Sequence, residues 1–336
     1  MRRYAIALVS CGLTITAMVW AFFVDADDLG VLAIATVGMP VSILLLVRAV
    51  LAPPIGSRPG IGSFLLGATL VPVGVLVLGA AVTGALVALV DPLREAVVDL
   101  GSELTVDTDF VEVLFAGWAF FLLVELAIVA PLLEETLKPF GALLARPRSR
   151  TEALFFGAAA GAGFAAVENL LYATGWFWGG DWWVSIAVIR MSGSALHLLG
   201  TGLVVLAVFE VRRPKDERLI SLPVAYGLAL AIHAVWNGSI AISIVLFAGH
   251  DRLGLPDDSL GWGIALMVLL AAFGVVLVAT LIAVARLVRH DKPLHQIASM
   301  ESLSQPVAVA VWVLLTACLL VPVGIAVTVF PELIKL

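Results

Sequence analysis

The chain has 336 residues, of which 62% are hydrophobic and only 13% are charged, and its mean hydropathy is +1.11. Soluble domains have about 45–50% apolar and about 25% charged residues, so this composition excludes a soluble globular protein and indicates an integral membrane protein. The formal net charge of -6 argues against a nucleic-acid partner.

Long apolar segments predict an all-α protein, a polytopic transmembrane helical bundle in contact with membrane lipid. A spanning helix needs about 20 apolar residues. By this criterion about nine spans are predicted, all within a single integral membrane domain over 1–336, at 4–24, 31–51, 61–90, 113–145, 153–174, 183–209, 219–248, 260–286 and 305–330. The first apolar run is longer than the about 7–15 residues of a signal-peptide core, so we interpret it as a span, with cleavage as the alternative.

The segments between these spans alternate in charge. Basic residues occur at 2–3, 48–58, 146–150, 212–218 and 286–292, whereas acidic residues dominate at 25–28, 91–112, 181 and 251–258. Basic loops stay in the cytoplasm, so the N-terminus is predicted to be cytoplasmic and the C-terminus external. Four tryptophans near one outer loop are predicted to anchor the protein at the lipid headgroups, namely Trp176, Trp178, Trp182 and Trp183.

Ionisable residues inside spans are costly, and each therefore suggests a function. They concentrate in four consecutive predicted spans, as Glu134, Glu135, Lys138, Glu168, Arg190, His197 and His233, the last accompanied by Asn237. At about 1.5 Å rise per residue, Glu134, Glu168 and His233 lie about 18–22 Å from the cytoplasmic edge, and His197 about 9–10 Å from it. These depths are compatible with one cluster near the middle of the membrane.

Each of these residues also has a purely structural explanation. Glu134 or Glu135 could form an ion pair with Lys138 at a helix end, although adjacent carboxylates point about 100° apart and one lysine is not expected to serve both. Arg190 could pair with a carboxylate or extend towards the outer surface. Other pairs, namely Glu168 with Asn169 and His233 with Asn237, could be hydrogen bonds that join helices or buried polar residues of the core.

The combination of two histidines, up to three carboxylates and an amide nevertheless exceeds what helix association requires. Gly157, Gly161 and Gly163 should let the helix that carries Glu168 approach its neighbours closely. Histidines and carboxylates together can bind a divalent metal, and catalytic zinc typically keeps three protein ligands and one water. A metal-free alternative uses the carboxylates and a histidine to activate water directly. The HExxH pattern of soluble zinc proteases is absent, so any ligands come from separate helices.

At these residues the sequence resembles the PrsW family of intramembrane proteases, which is related to the CAAX prenyl protease/ABI membrane proteins. The EExxK motif of the family matches 134–138, and its FxxxE motif, extended as GFAxxEN, matches 163–169. Its later histidines match His197 and His233. The resemblance covers about 30–250, which is the predicted protease core, and leaves two additional C-terminal spans in 251–336.

The resemblance implies a membrane-embedded peptidase that cleaves a membrane-embedded or membrane-proximal protein. Its partner would be a single-span membrane protein, for which an anti-sigma factor is one candidate, and its location the bacterial plasma membrane. The implied catalytic residues are Glu134, Glu135 and Asn237, and the implied metal ligands are Glu168, His197 and His233, with Zn²⁺ as the expected ion. Some family members have HxxxD where this chain has His233 and Asn237, which favours an amide that orients or stabilises over an aspartate ligand.

An ion- or proton-coupled transporter is the alternative function, because the same buried residues could relay protons or bind an ion. Transporters often contain repeated halves and broken helices. The sequence shows no obvious internal repeat, and we therefore favour the protease.

Overall fold

A computed structural model describes residues 2–24, 29–51, 57–87, 121, 123–177, 183–249 and 259–289. All regular elements within these ranges are helical, which confirms the all-α prediction. The α-helices are α1 (Arg2–Val24), α2 (Leu29–Leu51), α3 (Ser57–Val87), α4 (Ala130–Leu143), α5 (Arg150–Phe177), α6 (Trp183–Glu210), α7 (Leu222–Gly249) and α8 (Ser259–Val288). A π-helical turn (Glu125–Val129) leads directly into α4, and a 3₁₀ turn (Lys215–Glu217) lies between α6 and α7.

Five helical stretches in the described residues are long and apolar enough to cross a membrane: Arg58–Ala85, Arg150–Tyr172, Ile189–Glu210, Lys215–Ser243 and Ile264–Val288. Two shorter apolar helices, Tyr4–Ala17 and Thr36–Leu51, coincide with the first two predicted spans. The predicted span 305–330, the acidic loop 91–112 and the side chains of the four tryptophans lie outside the described residues. The count of nine spans and their orientation therefore stay predictions.

Helices α5 and α6 form the centre of the bundle, with α2, α3 and α4 packed against α5 and with α7 and α8 packed against α6. Their contact is close because glycines replace side chains where the helices meet. A Cβ atom on Gly157 would lie 2.8 Å from the Cα of Gly202, and one on Gly161 would overlap the carbonyl oxygen of His197. A Cβ on Gly163 would overlap the backbone of α3. The close approach expected from these glycines is observed.

The start of α5 is capped by its own sequence. The backbone N–H of Glu152 donates to the hydroxyl of Ser149 at 3.1 Å, and the carboxylate of Glu152 accepts from the backbone N–H of Arg148 at 2.8 Å. This reciprocal pattern resembles a capping box, in which two unpaired donors of a helix start are satisfied. The cap defines where α5 begins, six residues after α4 ends in a turn at Leu144.

A buried carboxylate at the end of α6 joins three segments at the same end of the bundle. Glu210 accepts hydrogen bonds from Nε and Nη2 of Arg150 at 2.8 and 3.0 Å, and from the backbone N–H of Leu219 at 3.0 Å. Its side chain is fully buried. Glu210 therefore sets the relative heights of α5, α6 and α7, the three helices that carry most of the polar residues described below.

Replacing Glu210 by Ala should lower the free energy of unfolding by about 2 kcal/mol, because charged hydrogen bonds are lost and buried donors remain. Thermal unfolding of the purified protein in detergent measures the change. Glu217→Gln, on the exposed 3₁₀ turn beside it, is the matched control and should leave the midpoint unchanged. An Ala variant as stable as the wild type would show that this contact does not hold the helices together.

Candidate active site

Four helices, α4 to α7, direct their polar side chains into one buried cluster. No member of the cluster has more than 7% of its surface exposed. The members are Glu134, Glu135 and Lys138 of α4, Glu168 of α5, Arg190 and His197 of α6, and His233 and Asn237 of α7. The structure thus brings together all six residues to which the sequence assigned catalytic or metal-binding roles.

Lys138 occupies the middle of the cluster and is fully buried. Its Nζ lies 2.9 Å from Oε2 of Glu134, 2.8 Å from Oε1 of Glu135 and 2.8 Å from Nδ1 of His197. The ammonium also lies over the ring of Phe164, 4.4 Å from the ring centroid. The expectation that one lysine could not serve both carboxylates is wrong, because residues three and four positions away on a helix both neighbour the lysine.

His233 is held on both sides. Its Nδ1 lies 2.8 Å from Oε1 of Glu135, and its Nε2 lies 3.1 Å from the amide nitrogen of Asn237 and 3.6 Å from Oε2 of Glu134. A carboxylate only accepts and an amide NH₂ only donates, so we assign the proton to Nδ1 and the lone pair to Nε2. Glu135 thus orients the ring with Nε2 facing Glu134.

His197 is held in the opposite tautomer. The ammonium of Lys138 can only donate, so Nδ1 of His197 accepts its hydrogen bond, and Nε2 carries the proton towards Oε2 of Glu168 at 2.9 Å. Glu168 also forms an ion pair with the guanidinium of Arg190, which lies over the ring of Tyr172 at 4.5 Å. Arg190 therefore pairs with a carboxylate and does not extend towards the outer surface. The two histidine rings meet edge to face, 5.1 Å apart.

Asn169 has a different role from its neighbour Glu168. Its side-chain nitrogen donates to the hydroxyl of Ser194 at 3.1 Å, which joins α5 to α6 outside the cluster. The structural explanation is therefore observed for Asn169, whereas Glu168 contributes to the cluster. Gly193 of α6 makes room for the indole of Trp236.

Two contributors to the cluster, Gly200 and Phe164, were not found from the sequence. A Cβ on Gly200 would lie 3.1 Å from Oε2 of Glu135, so this glycine leaves room for the carboxylate. Phe164 belongs to the FxxxE motif, but its contact with the Lys138 ammonium has no sequence signature. Glu125 is a further carboxylate in the apolar run before α4, where it accepts a hydrogen bond from the Thr83 hydroxyl at 3.0 Å outside the cluster.

Glu134, His197 and His233 could hold a metal ion, because one ligand atom from each lies within 4.8 Å of the others. In both histidines the second ring nitrogen already contacts a carboxylate, which is the arrangement typical of metal-ligating histidines. The supporting carboxylates are Glu168 for His197 and Glu135 for His233. By its donor set the site therefore fits a divalent metal, with Glu168 as a support for His197 and outside the group of three.

The fold and the cluster define a helical membrane protein whose buried carboxylates and histidines suit hydrolysis inside the bundle. The family model described as PrsW family intramembrane metalloprotease matches residues 69–278, which is more than half of the chain and includes the whole cluster. The chain belongs to this family, and the resemblance read from the motifs is confirmed. The match begins later than residue 30 and ends beyond residue 250, within α8. No curated protein and no solved structure matches the chain.

The ion pair between Arg190 and Glu168 gives a test of the cluster by stability. Arg190→Met leaves a buried carboxylate without its guanidinium, and breaking a buried pair in this way costs about 3–5 kcal/mol. Adding Glu168→Gln removes the unpaired charge, so the double variant should be more stable than Arg190→Met alone. Thermal unfolding in detergent measures the stability of Arg190→Met, of Glu168→Gln and of the double variant. The exposed Arg212→Met is the control. A double variant that loses the sum of the two single losses would contradict the pairing.

Proposed function

We propose that this protein hydrolyses a peptide bond of a membrane-embedded or membrane-proximal protein, with Glu134 as general base. Membership of the PrsW family supports the peptidase activity. The observation that carries the proposal is that both carboxylates of α4 contact His233 of α7, while Lys138 of α4 contacts His197 of α6, in one buried site. Carboxylates and imidazoles in contact are the groups that general acid–base catalysis of hydrolysis requires.

Glu134 is better suited than Glu135 to accept a proton from water. Both Lys138 and His233 contact Oε1 of Glu135, which makes that carboxylate an orienting group. Oε2 of Glu134 has one close contact, with Lys138 at 2.9 Å, and lies 3.6 Å from Nε2 of His233. Glu134 removes a proton from water as the water oxygen bonds to the carbonyl carbon. When the C–N bond breaks, the same proton passes from Glu134 to the leaving nitrogen.

Negative charge develops on the carbonyl oxygen during this attack, and two groups of the cluster can stabilise it. The ammonium of Lys138 supplies a buried positive charge, and the amide of Asn237 supplies a donor beside His233. Fixed donors are effective in a water-poor site because they need no reorganisation during the reaction. Asn237 thus has the stabilising role that the sequence favoured over metal ligation.

A divalent ion such as Zn²⁺ would be held by Glu134, His197 and His233. Glu134 would then be a metal ligand, so its role as general base belongs to the protein without a bound ion. This set differs from the one implied by the motifs in that Glu134 replaces Glu168, because Glu168 already pairs with Arg190 and supports His197. When bound, such an ion acts as a Lewis acid and makes its water easier to deprotonate. Lys138 contacts Glu134 and His197, two of these three residues.

The substrate is proposed to be a single-span membrane protein, with an anti-sigma factor as one candidate, in the plasma membrane of a bacterium. The proposed topology has nine spans and a cytoplasmic N-terminus. Contacts between basic segments support this orientation, because Arg150 bonds to Glu210 and Thr151 bonds to the carbonyl of Val288, next to Arg289. Three basic segments thus meet at one end of the bundle, as the positive-inside rule requires of cytoplasmic loops.

Reporter fusions test the orientation. Alkaline phosphatase, which is active only outside the cytoplasm, should be active when fused after residue 181 and inactive when fused after residue 215. A fluorescent protein that folds only in the cytoplasm should give the reverse result at the same two positions. Phosphatase activity at 215 would contradict the proposed topology.

No observation favours the transporter. The polar residues that a carrier would need are engaged with one another in the cluster, and the family is one of proteases. Substitution in cells separates the two functions, because a carrier would not cleave a protein.

The variants Glu134→Gln, Glu135→Gln, His197→Ala and His233→Ala should each reduce cleavage of a co-expressed single-span substrate. The loss should be about 100-fold or more for Glu134→Gln, since general base catalysis contributes about 10²–10⁴-fold. Immunoblotting of the cleaved fragment measures the effect, with equal expression verified. Glu125→Gln changes a carboxylate of the same apolar run outside the cluster and should retain cleavage. If all four variants still cleave, the protease mechanism is wrong.

A further inference from the structure

The Lys138 ammonium contacts two atoms that a bound metal ion would use as ligands. It contacts Oε2 of Glu134 at 2.9 Å and Nδ1 of His197 at 2.8 Å. Glu134 and His197 are two of the three residues whose ligand atoms cluster within 4.8 Å, the third being His233. A cation from the chain itself is therefore bound by the carboxylate and the imidazole that would bind a metal.

These atoms cannot serve both cations at once. In the tautomer described above, Nδ1 of His197 has a single lone pair, which either accepts a hydrogen bond from Lys138 or binds a metal. Nε2 offers no second choice, because it donates to Glu168. Zinc ligands lie about 2.0–2.2 Å from the ion, so an ion at this nitrogen would also overlap the ammonium. Like charges at such a separation repel strongly in a buried site.

The surroundings of Lys138 favour the ammonium where it lies. It compensates the negative charge of both Glu134 and Glu135, and the ring of Phe164 covers it. Arg190, the other buried cation of the cluster, pairs with Glu168. Removing the lysine charge would therefore leave the two α4 carboxylates without their cation. Because unpaired buried charges are strongly unfavourable, binding of another cation would stabilise them.

We propose that the Lys138 ammonium and a divalent metal ion are mutually exclusive occupants of this site, so that Lys138 controls whether the protein binds a metal. Metal binding requires the lysine side chain to leave Glu134 and His197. The inference rests on the proposed function for the identity of the site as catalytic. The competition itself depends only on the shared ligand atoms, and it can be measured without a substrate.

The test uses the full-length protein in detergent, freed of metal by chelation and titrated with Zn²⁺ in a calorimeter. Lys138→Met removes the competing charge while keeping a side chain of similar length. Groups beside metal ligands typically alter metal affinity by about 10–100-fold, and we expect Lys138→Met to bind Zn²⁺ tighter than the wild type by at least about that lower factor. Lys138→Arg keeps the charge and should bind as weakly as the wild type. Co²⁺ absorption spectra report whether histidines coordinate the ion.

Two further variants distinguish competition for the shared ligand atoms from the loss of any buried positive charge and from misfolding. Arg190→Met removes a buried cation whose carboxylate partner, among the described residues, is Glu168, so its gain in affinity should be much smaller than that of Lys138→Met. The double variant Lys138→Met/Glu135→Gln removes one charge of each sign and keeps Glu134, His197 and His233. It should fold even where Lys138→Met does not. Because it lacks the Glu135 carboxylate that supports His233, its reference is Glu135→Gln, and it should bind Zn²⁺ more tightly than that variant.

The proposal is overturned if Lys138→Met binds Zn²⁺ no more tightly than the wild type and the double variant no more tightly than Glu135→Gln. It is also overturned if Arg190→Met gains as much affinity as Lys138→Met. Cleavage assays distinguish this failure from that of the proposed function. If the wild type cleaves no membrane protein but Lys138→Met binds Zn²⁺ more tightly than the wild type, the protease activity is rejected. The competition between the two cations is then retained.

Discussion

The contact of one buried ammonium with two carboxylates and an imidazole is the interaction on which the site depends. Charged groups in a low-dielectric interior are strongly unfavourable unless they are paired. Lys138 satisfies this requirement for Glu134 and Glu135 and also contacts His197, and so it links α4 to α6. Glu135 then links α4 to α7 through His233. The helices cannot rotate independently without exposing one of these charges to the apolar interior or to lipid.

Small residues make this convergence possible. Gly161 lets α5 touch the backbone of His197, and Gly200 leaves space for the Glu135 carboxylate on the opposite side of α6. Glu210 then holds α5, α6 and the segment before α7 together at one end of the bundle. Positions of reactive groups are thus set by rigid helices and by contacts remote from the chemistry, which is what a preorganised site in a membrane requires.

Hydropathy and the family motifs predicted the helical class and the helices that carry the cluster. The six residues proposed from the sequence lie together in it, and their roles stay predictions. The sequence offered the pairs of Lys138 and Arg190 with a carboxylate only as alternatives to a catalytic role. That Lys138 contacts His197, and that Glu168 supports His197 while paired with Arg190, depends on how the helices are rotated and staggered. Hydropathy does not encode that rotation. The contact of Glu210 with Arg150 joins residues sixty positions apart and likewise has no local signature.

Nitrogen NMR of the protein in lipid bilayers, with ¹⁵N-labelled lysine and histidine, tests the central contact most directly. The chain has only five histidines and four lysines, so the signals can be assigned by substitution. The account predicts a through-space contact between the Lys138 ammonium and an unprotonated Nδ1 of His197, with His233 protonated at Nδ1 instead. A proton on Nδ1 of His197, or a Lys138 ammonium with no imidazole neighbour, would contradict the arrangement from which the mechanism follows.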